Sequence, residues 1–299
     1  MTPDRQSVFR PQAIEAWSNR YLIHPASFWL ARRAANTRLT PNHVSLLSIP
    51  VGMLAAIAFA CYQLAWWWGA VGGILALLRL ILDGADGQLA RLKQMSSAFG
   101  RVLDGVCDYI SIGAIYLGFL VIWQGWHALS IFALLLGAYL SRMMQANVYE
   151  LQRSLYQFWT AGKTAGLPTQ IRPHHDQAYT RNTFFNALVR GLDTQYGYSQ
   201  LHLCGLNTHT LRQALSTQQN RSSATAQAIG KQYDQRFRAW VKVWGLLNDN
   251  CHYALLTCCC LLQKPMVYFW LEITLLNALH LLWVLNYRWR FDRFLTQLP

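Results

Sequence analysis

Charge is scarce in this sequence. Asp, Glu, Lys and Arg make up 13% of its 299 residues, about half the roughly 25% of an ordinary soluble domain. A chain with so few ions does not read as a water-soluble globule. Acid is scarcer still, with 13 Asp and Glu against 26 Lys and Arg and a net charge of +13. A basic balance can signal nucleic acid, but here Lys and Arg fall mostly between apolar runs. That is the pattern of cytoplasmic loops beside anionic lipid, and no nucleic-acid partner is expected. The seven Cys include no CxxC pair, which leaves no redox or zinc motif. They read as reduced packing residues, and adjacent Cys258, Cys259 and Cys260 point in three directions around a helix rather than at one metal. Met1 to Thr40 carries six Arg and lacks the apolar core of a signal peptide.

What the chain has instead is apolar length. Hydrophobic residues are 53% of the total, with 13 Trp and 14 Tyr, and several runs approach the ~20 residues that cross a bilayer. The expected fold is all-α and integral to the membrane, with six transmembrane helices. The spans are Val44 to Tyr62, Trp66 to Leu82, Gly100 to Trp123, Ala128 to Val148, Trp240 to Leu262 and Met266 to Tyr287. Residues 1–10 read as disordered. Pro11 to Ala35, with Trp17, Tyr21, Leu22, Phe28 and Trp29 among arginines, predicts an amphipathic helix at the membrane interface, kinked at Pro25.

Four segments follow: a cytoplasmic arm at 1–41, helices 1–4 at 42–149, an insert at 150–237, and helices 5–6 with a basic tail at 238–299. The insert is polar, partly helical and placed in the cytoplasm. Phe184, Phe185, Leu188, Val189 and Leu192 recur there at helical spacing, while Ser216 to Ala226 reads as loose. His174-His175-Asp176 reads as a solvated loop. Lys and Arg cluster in the arm, the 91–101 link, the insert and the tail, whereas the short turns opposite hold a single Lys, Lys264. Both termini and the 83–108 stretch are therefore expected in the cytoplasm, in a membrane expected to be a bacterial inner membrane.

The scarce acid is concentrated. Asp83 to Asp108 holds four of the 13 acidic residues in 26 positions. On a helix Asp83, Asp86, Gly87, Ala90 and Arg91 share one face, and Gly100, Asp104 and Asp108 share another. Four carboxylates near hydrocarbon need compensation that Arg91 alone cannot supply. An all-oxygen donor set suits Mg²⁺ or Mn²⁺, and two such ions can clamp both ends of an in-line phosphoryl displacement. Gly87 and Gly100 remove bulk where a phosphorylated group would approach, and Arg91 can meet a phosphate bidentately.

These residues resemble the signature of the CDP-alcohol phosphatidyltransferases, DxxDGxxAR, eight residues, then GxxxDxxxD. Asp83, Asp86-Gly87, Ala90-Arg91, Gly100, Asp104 and Asp108 fill every position, and Thr40-Pro41-Asn42 and the six-span layout agree. The insert lies outside the likeness. The resemblance implies transfer of a substituted phosphate from a CDP-linked donor to an alcohol, with release of CMP, at the cytoplasmic membrane surface. It implies Asp83, Asp86, Asp104 and Asp108 as ligands of two Mg²⁺ or Mn²⁺ ions, with Asp104 and Asp108 catalytic and Asp108 the general base. It implies donor binding by Gly87, Ala90, Arg91, Ser97 and Gly100, with Asn42 to Ser45 beside them, and a homodimer.

CDP-diacylglycerol with a small polar or phosphorylated alcohol is the favoured substrate pair. A CDP-linked headgroup with diacylglycerol or ceramide is the alternative, and a non-enzymatic cation- or lipid-binding protein the more distant one. The acceptor pocket is sought among polar residues in the spans: Arg79, Arg142, Arg153, Asn248, Asn250 and His252. Each also has a structural reading as an ion pair, a membrane anchor or a helix–helix hydrogen bond. Gln145 and Asn147 accompany Arg142 in the fourth span, and Asp249 accompanies the fifth-span residues; Asn277 and His280 are weaker candidates, and Glu272 in the sixth span has no assigned role.

Overall fold

The computed structural model describes residues 13–95, 97–123, 128–164, 166–172 and 184–298. Residues 1–12, the turn expected at Gln124–His127 and His174-His175-Asp176 lie outside the described residues, as do the side chains of Ala98, Phe184 and Phe185. All regular structure among the described residues is helical. Among the described residues, five helical stretches are long and apolar enough to cross a membrane: Pro41–Gln63, Trp67–Leu92, Phe99–Ile122, Ala128–Ala161 and Pro265–Thr296.

The chain divides into two compact units. The first comprises Met1–Met143 and Asp249–Leu276. A π-helical turn, Asn19–Ile23, leads into α1, His24–Ala35. Pro25 follows that π turn inside a helical stretch running from Trp17 to Ala35, at the place where the kink is expected. Proline has no N–H to give to the preceding turn, and here the chain widens into a π turn before it. The small residues Ser27, Ala31 and Ala34 are the buried face of α1, and the Ser27 hydroxyl donates to the Ile81 carbonyl at 2.8 Å. Trp17, Tyr21 and Trp29 stay exposed.

Helix α2, Pro41–Ala60, opens with a capping box: Thr40 Oγ1 accepts from the His43 N–H, and His43 Nδ1 accepts from the Thr40 N–H. Proline at its first position has the φ a helix start needs. Helix α3, Trp67–Leu92, packs against α1, α2 and α9 (Asp249–Leu261), and α4, Ala98–Ile122, packs against α2. Close approach to α3 depends on glycine. A Cβ at Gly72 would lie 2.6 Å from the Phe59 ring, and one at Gly69 would lie 2.8 Å from Cys260 Cβ. Helix α5, Ala128–Ala161, enters the first unit with its N-terminal half. Helix α10, Pro265–Leu271, ends in a π turn, Glu272–Leu276.

The second unit comprises Met144–Asn248 and Asn277–Pro299. It holds the rest of α5, then α6 (Phe184–Leu203), α7 (Thr208–Gln219), α8 (Ser223–Trp244) and α11 (Asn277–Thr296). Its core is aromatic. Trp159 stacks on Tyr233 with centroids 5.7 Å apart, and Phe237, Trp244, Tyr287, Phe291 and Phe294 complete the cluster. Leu188 and Leu192 of α6 are exposed while Val189 is buried.

Two expectations are corrected here. Ser216 to Ala226 is not loose: α7 and α8 cover all of it except Asn220–Ser222. Leu211 and Leu215 bury one face of α7, and Asn207 and Ser222 cap the two helices by accepting from Thr210 N–H and Thr225 N–H. Trp240 to Leu262 is not one continuous helix. Helix α8 ends at Trp244, Gly245–Leu247 forms a 3₁₀ turn, and Asn248 is extended before α9 begins. The 13 residues of α9 rise about 20 Å at 1.5 Å each, short of the ~30 Å hydrocarbon core. Asn side chains compete for backbone hydrogen bonds and favour helix ends over interiors, and Asp249 suits the new first turn.

Candidate active site

The aspartates are brought together by how α3 ends and α4 begins. Helix α3 closes in a Schellman motif: Met95 N–H donates to the Ala90 carbonyl at 2.9 Å and Gln94 N–H to the Arg91 carbonyl at 3.4 Å, with Gln94 at φ +55°. That geometry reverses the chain. Helix α4 then opens on Ser97, whose Oγ accepts from the Gly100 N–H at 3.0 Å. Lys93 Nζ fastens the junction by donating to the carbonyls of Thr37 (2.8 Å) and Leu39 (2.7 Å), just ahead of α2.

Asp83, Asp104 and Asp108 converge. One carboxylate oxygen of each lies within 4.8 Å of the others, and all three residues are half-buried. At about 5 Å and an effective dielectric near 20, each pair of like charges repels by about 3 kcal/mol, so the arrangement calls for a cation. The donor set is all oxygen and fits a hard divalent ion. The fourth residue, Asp86, stands outside that trio. It is 5% exposed, and the Ser45 hydroxyl donates to its carboxylate. Arg79, 1% exposed, forms an ion pair with Asp108 and donates to the Tyr253 hydroxyl at 3.4 Å.

The other signature residues border this cluster. A Cβ added to Gly87 would lie 3.9 Å from an Arg91 guanidinium nitrogen, so Arg91 lies across that glycine. A Cβ on Gly100 would lie 3.2 Å from Ser97 Oγ and 3.4 Å from Asn42 Oδ1. Asn42, Ser97 and Gly100 therefore meet at one corner, where α2 and α4 both begin. Ala90 is half-buried on α3. Ser45 is turned to Asp86 and to the Pro41 carbonyl.

Of the six residues sought as an acceptor pocket, Arg79, Arg142, Asn250 and His252 lie in the first unit. Arg142, 1% exposed, is held by Asp249 Oδ1 at 2.9 and 3.3 Å, with its guanidinium 4.4 Å above the Tyr253 ring. Asn250 donates to Ser18 Oγ and Asn19 Oδ1 at 2.8 and 2.6 Å. His252 pairs with Glu272. Arg153 and Asn248 belong to the second unit, where Arg153 pairs with Glu150 at 2.6 Å. Sequence reasoning left Glu272 unexplained and passed over Tyr253 and Tyr268. The signal for Glu272 was its isolation: a lone carboxylate in an apolar run needs a partner.

Residues 38–169 match the model of the CDP-alcohol phosphatidyltransferase family. Over this stretch the chain is similar to that family. The family segment holds α2 to α5, and with them every residue of the carboxylate cluster. Among curated proteins, the chain is similar to a phosphatidylinositol phosphate synthase of Mycolicibacterium smegmatis, 36% identical over 107 residues, which are 34% of this chain and 46% of the relative. It is 37% identical over 71 residues, 24% of the chain and 15% of the relative, to a bifunctional IPC transferase and DIPP synthase of Aquifex aeolicus. It is 38% identical over 77 residues, 25% of the chain and 30% of the relative, to a CDP-diacylglycerol–serine O-phosphatidyltransferase of Helicobacter pylori. The chain thus spans less than half the length of each.

Proposed function

We propose that this protein transfers a phosphatidyl group from CDP-diacylglycerol to a small polar or phosphorylated alcohol, of the inositol-phosphate or glycerol-phosphate kind, and releases CMP. The convergence of the Asp83, Asp104 and Asp108 carboxylates within the family segment carries the reading. The name of the Mycolicibacterium relative supports an inositol phosphate as the acceptor class.

In this reaction the acceptor hydroxyl oxygen attacks the phosphatidyl phosphorus. The bond from that phosphorus to the bridging oxygen breaks, and CMP departs with the bridging oxygen. The hydroxyl proton passes to Asp108, since an alcohol is a weak nucleophile without a base in reach. Asp83, Asp86, Asp104 and Asp108 would hold two Mg²⁺ or Mn²⁺ ions, which supply charge stabilisation to the diphosphate. Ser45 would act through Asp86 by fixing its carboxylate. Arg91 over Gly87, and Asn42 and Ser97 beside Gly100, would receive the CDP moiety.

We further infer six membrane crossings, with Trp240–Leu262 crossing as a broken helix, and both termini and the carboxylates on the cytoplasmic face of a bacterial inner membrane. The Arg33 guanidinium 5.1 Å above exposed Trp29 supports α1 as an interfacial helix, because cationic and aromatic side chains share the headgroup layer. A homodimer is the proposed assembly.

The test is CMP release by purified protein with Mg²⁺ or Mn²⁺, CDP-diacylglycerol and a panel of alcohols. Release with an inositol phosphate or glycerol phosphate supports the proposal. Release only from a CDP-linked headgroup with diacylglycerol overturns the donor assignment, and no release from any CDP-linked donor overturns the activity.

A further inference from the structure

We infer that Arg79 is the resident counter-ion of the carboxylate cluster, the group a divalent cation must displace from Asp108. The inference rests on the metal-dependent reading above. Arg79 lies one turn before Asp83 on α3, so it shares the face that carries the cluster. It is 1% exposed, and a buried arginine remains charged and must find an anion. That anion is Asp108.

The remaining arginines near this face are differently placed. Arg91 is exposed. Arg142 is buried beside Asp249, whose carboxylate offsets its charge. Arg79 pairs directly with a member of the Asp83–Asp104–Asp108 group.

Its second contact makes displacement feasible. Through Nη1, the terminal nitrogen not paired with Asp108, the guanidinium donates to the Tyr253 hydroxyl at 3.4 Å. Tyr253 is itself fixed, its ring 4.4 Å below the Arg142 guanidinium, which Asp249 and the Tyr268 hydroxyl hold at 2.9 and 3.4 Å. When Asp108 turns to a divalent ion, Arg79 keeps a hydrogen-bond partner and a nearby carboxylate field. Metal loading and release of Asp108 by arginine are then one exchange. The arginine keeps the like charges from driving the helices apart before the ion arrives, and its competition weakens metal binding.

The experiment measures Mn²⁺ affinity of the purified full chain in detergent by electron paramagnetic resonance of free Mn²⁺. R79Q removes the competing cation and should bind Mn²⁺ at least about tenfold more tightly, since a nearby unit charge repels a divalent ion. R79K keeps a cation and should stay within about threefold of the wild type by the same reasoning. In a D108N background, R79Q should produce no tightening. Unchanged or weaker binding by folded R79Q overturns the inference while leaving the proposed reaction intact. A wild type that binds no Mn²⁺ sinks both. Where R79Q does not fold, infrared difference spectra of wild-type protein carrying isotope-labelled arginine decide. Adding Mg²⁺ should shift an arginine band, because one guanidinium loses its carboxylate, and a spectrum with no arginine change overturns the inference.

Discussion

Glu272 and His252 meet inside the protein, with Glu272 Oε2 2.8 Å from His252 Nδ1 and side chains 0% and 2% exposed. The Tyr268 hydroxyl lies 3.3 Å from the same histidine nitrogen, and a further 3.4 Å step leads to Arg142. Removing one member of such a pair strands the other in an apolar interior, at a cost of about 3–5 kcal/mol. Glu272→Ala should therefore lower the unfolding midpoint strongly. Replacing both residues with leucine should lower it less than the sum of the single changes. Thermal unfolding in detergent, followed by size-exclusion chromatography, checks this. Additive losses would show that the two side chains do not act as a pair.

Asp108→Asn should abolish CMP release without unfolding the protein. General-base catalysis contributes about 10²–10⁴-fold, and this variant also removes a proposed metal ligand, so the loss should reach the upper end of that range. Steady-state kinetics at saturating donor measures it. Near-wild-type kcat would rule Asp108 out as the base.

Ser45→Ala should act at one remove. The hydroxyl donates to Asp86 and not to any other carboxylate of the group. Groups that orient metal ligands are worth about 10–100-fold in metal affinity or activity, so Mn²⁺ affinity should fall by that factor with the fold intact. A change in donor KM at constant Mn²⁺ affinity would instead place Ser45 against the nucleotide.

Chelation should stop the reaction reversibly. Ethylenediaminetetraacetate should remove all CMP release, and added Mg²⁺ or Mn²⁺ should restore it, because the oxygen donor set fits hard cations. Full activity after exhaustive chelation would exclude the metal-dependent reading.

Asp234 offers a pH test away from the membrane spans. Burial pushes its carboxyl up, but hydrogen bonds from Arg238 and Tyr156 outweigh burial and hold it below the usual carboxylate range. A depressed value adds stability above the unfolded carboxylate value, about 3.9, and that stability is lost as pH falls through the folded value. The pair is partly exposed, so the difference between wild type and Asp234→Asn should be about 0.5 kcal/mol at neutral pH and should vanish in strong acid. Unfolding midpoints across pH measure it.

Much of the catalytic half was readable because its residues are close in sequence. Asp83, Asp104 and Asp108 needed only helical spacing to be placed on two adjoining faces, and Thr40-Pro41 carried a helix start in its residue types. Long-range partners were only partly readable: an ion pair could be expected of Arg79, but not which carboxylate it meets. Arg79 and Asp108 are 29 positions apart, and Arg142 and Asp249 are 107 apart, and nothing local ties either pair. Hydropathy misled at Trp240–Leu262, where an average over the window conceals the break that Gly245 and Asn248 impose. Composition misled at Ser216 to Ala226, where two caps and two buried leucines outweigh a polar, loop-like sequence.

Gln94 has one more implication, for engineering. It holds φ +55°, a conformation that costs a residue with a side chain roughly 1 kcal/mol and that glycine adopts freely. The residue makes the reversal between the two aspartate-bearing helices yet is not itself one of the converging groups. Gln94→Gly should therefore relieve strain at the hinge while leaving the chemistry untouched. Thermostability can then be raised within a few residues of the carboxylates, at a position where stability and turnover are separable.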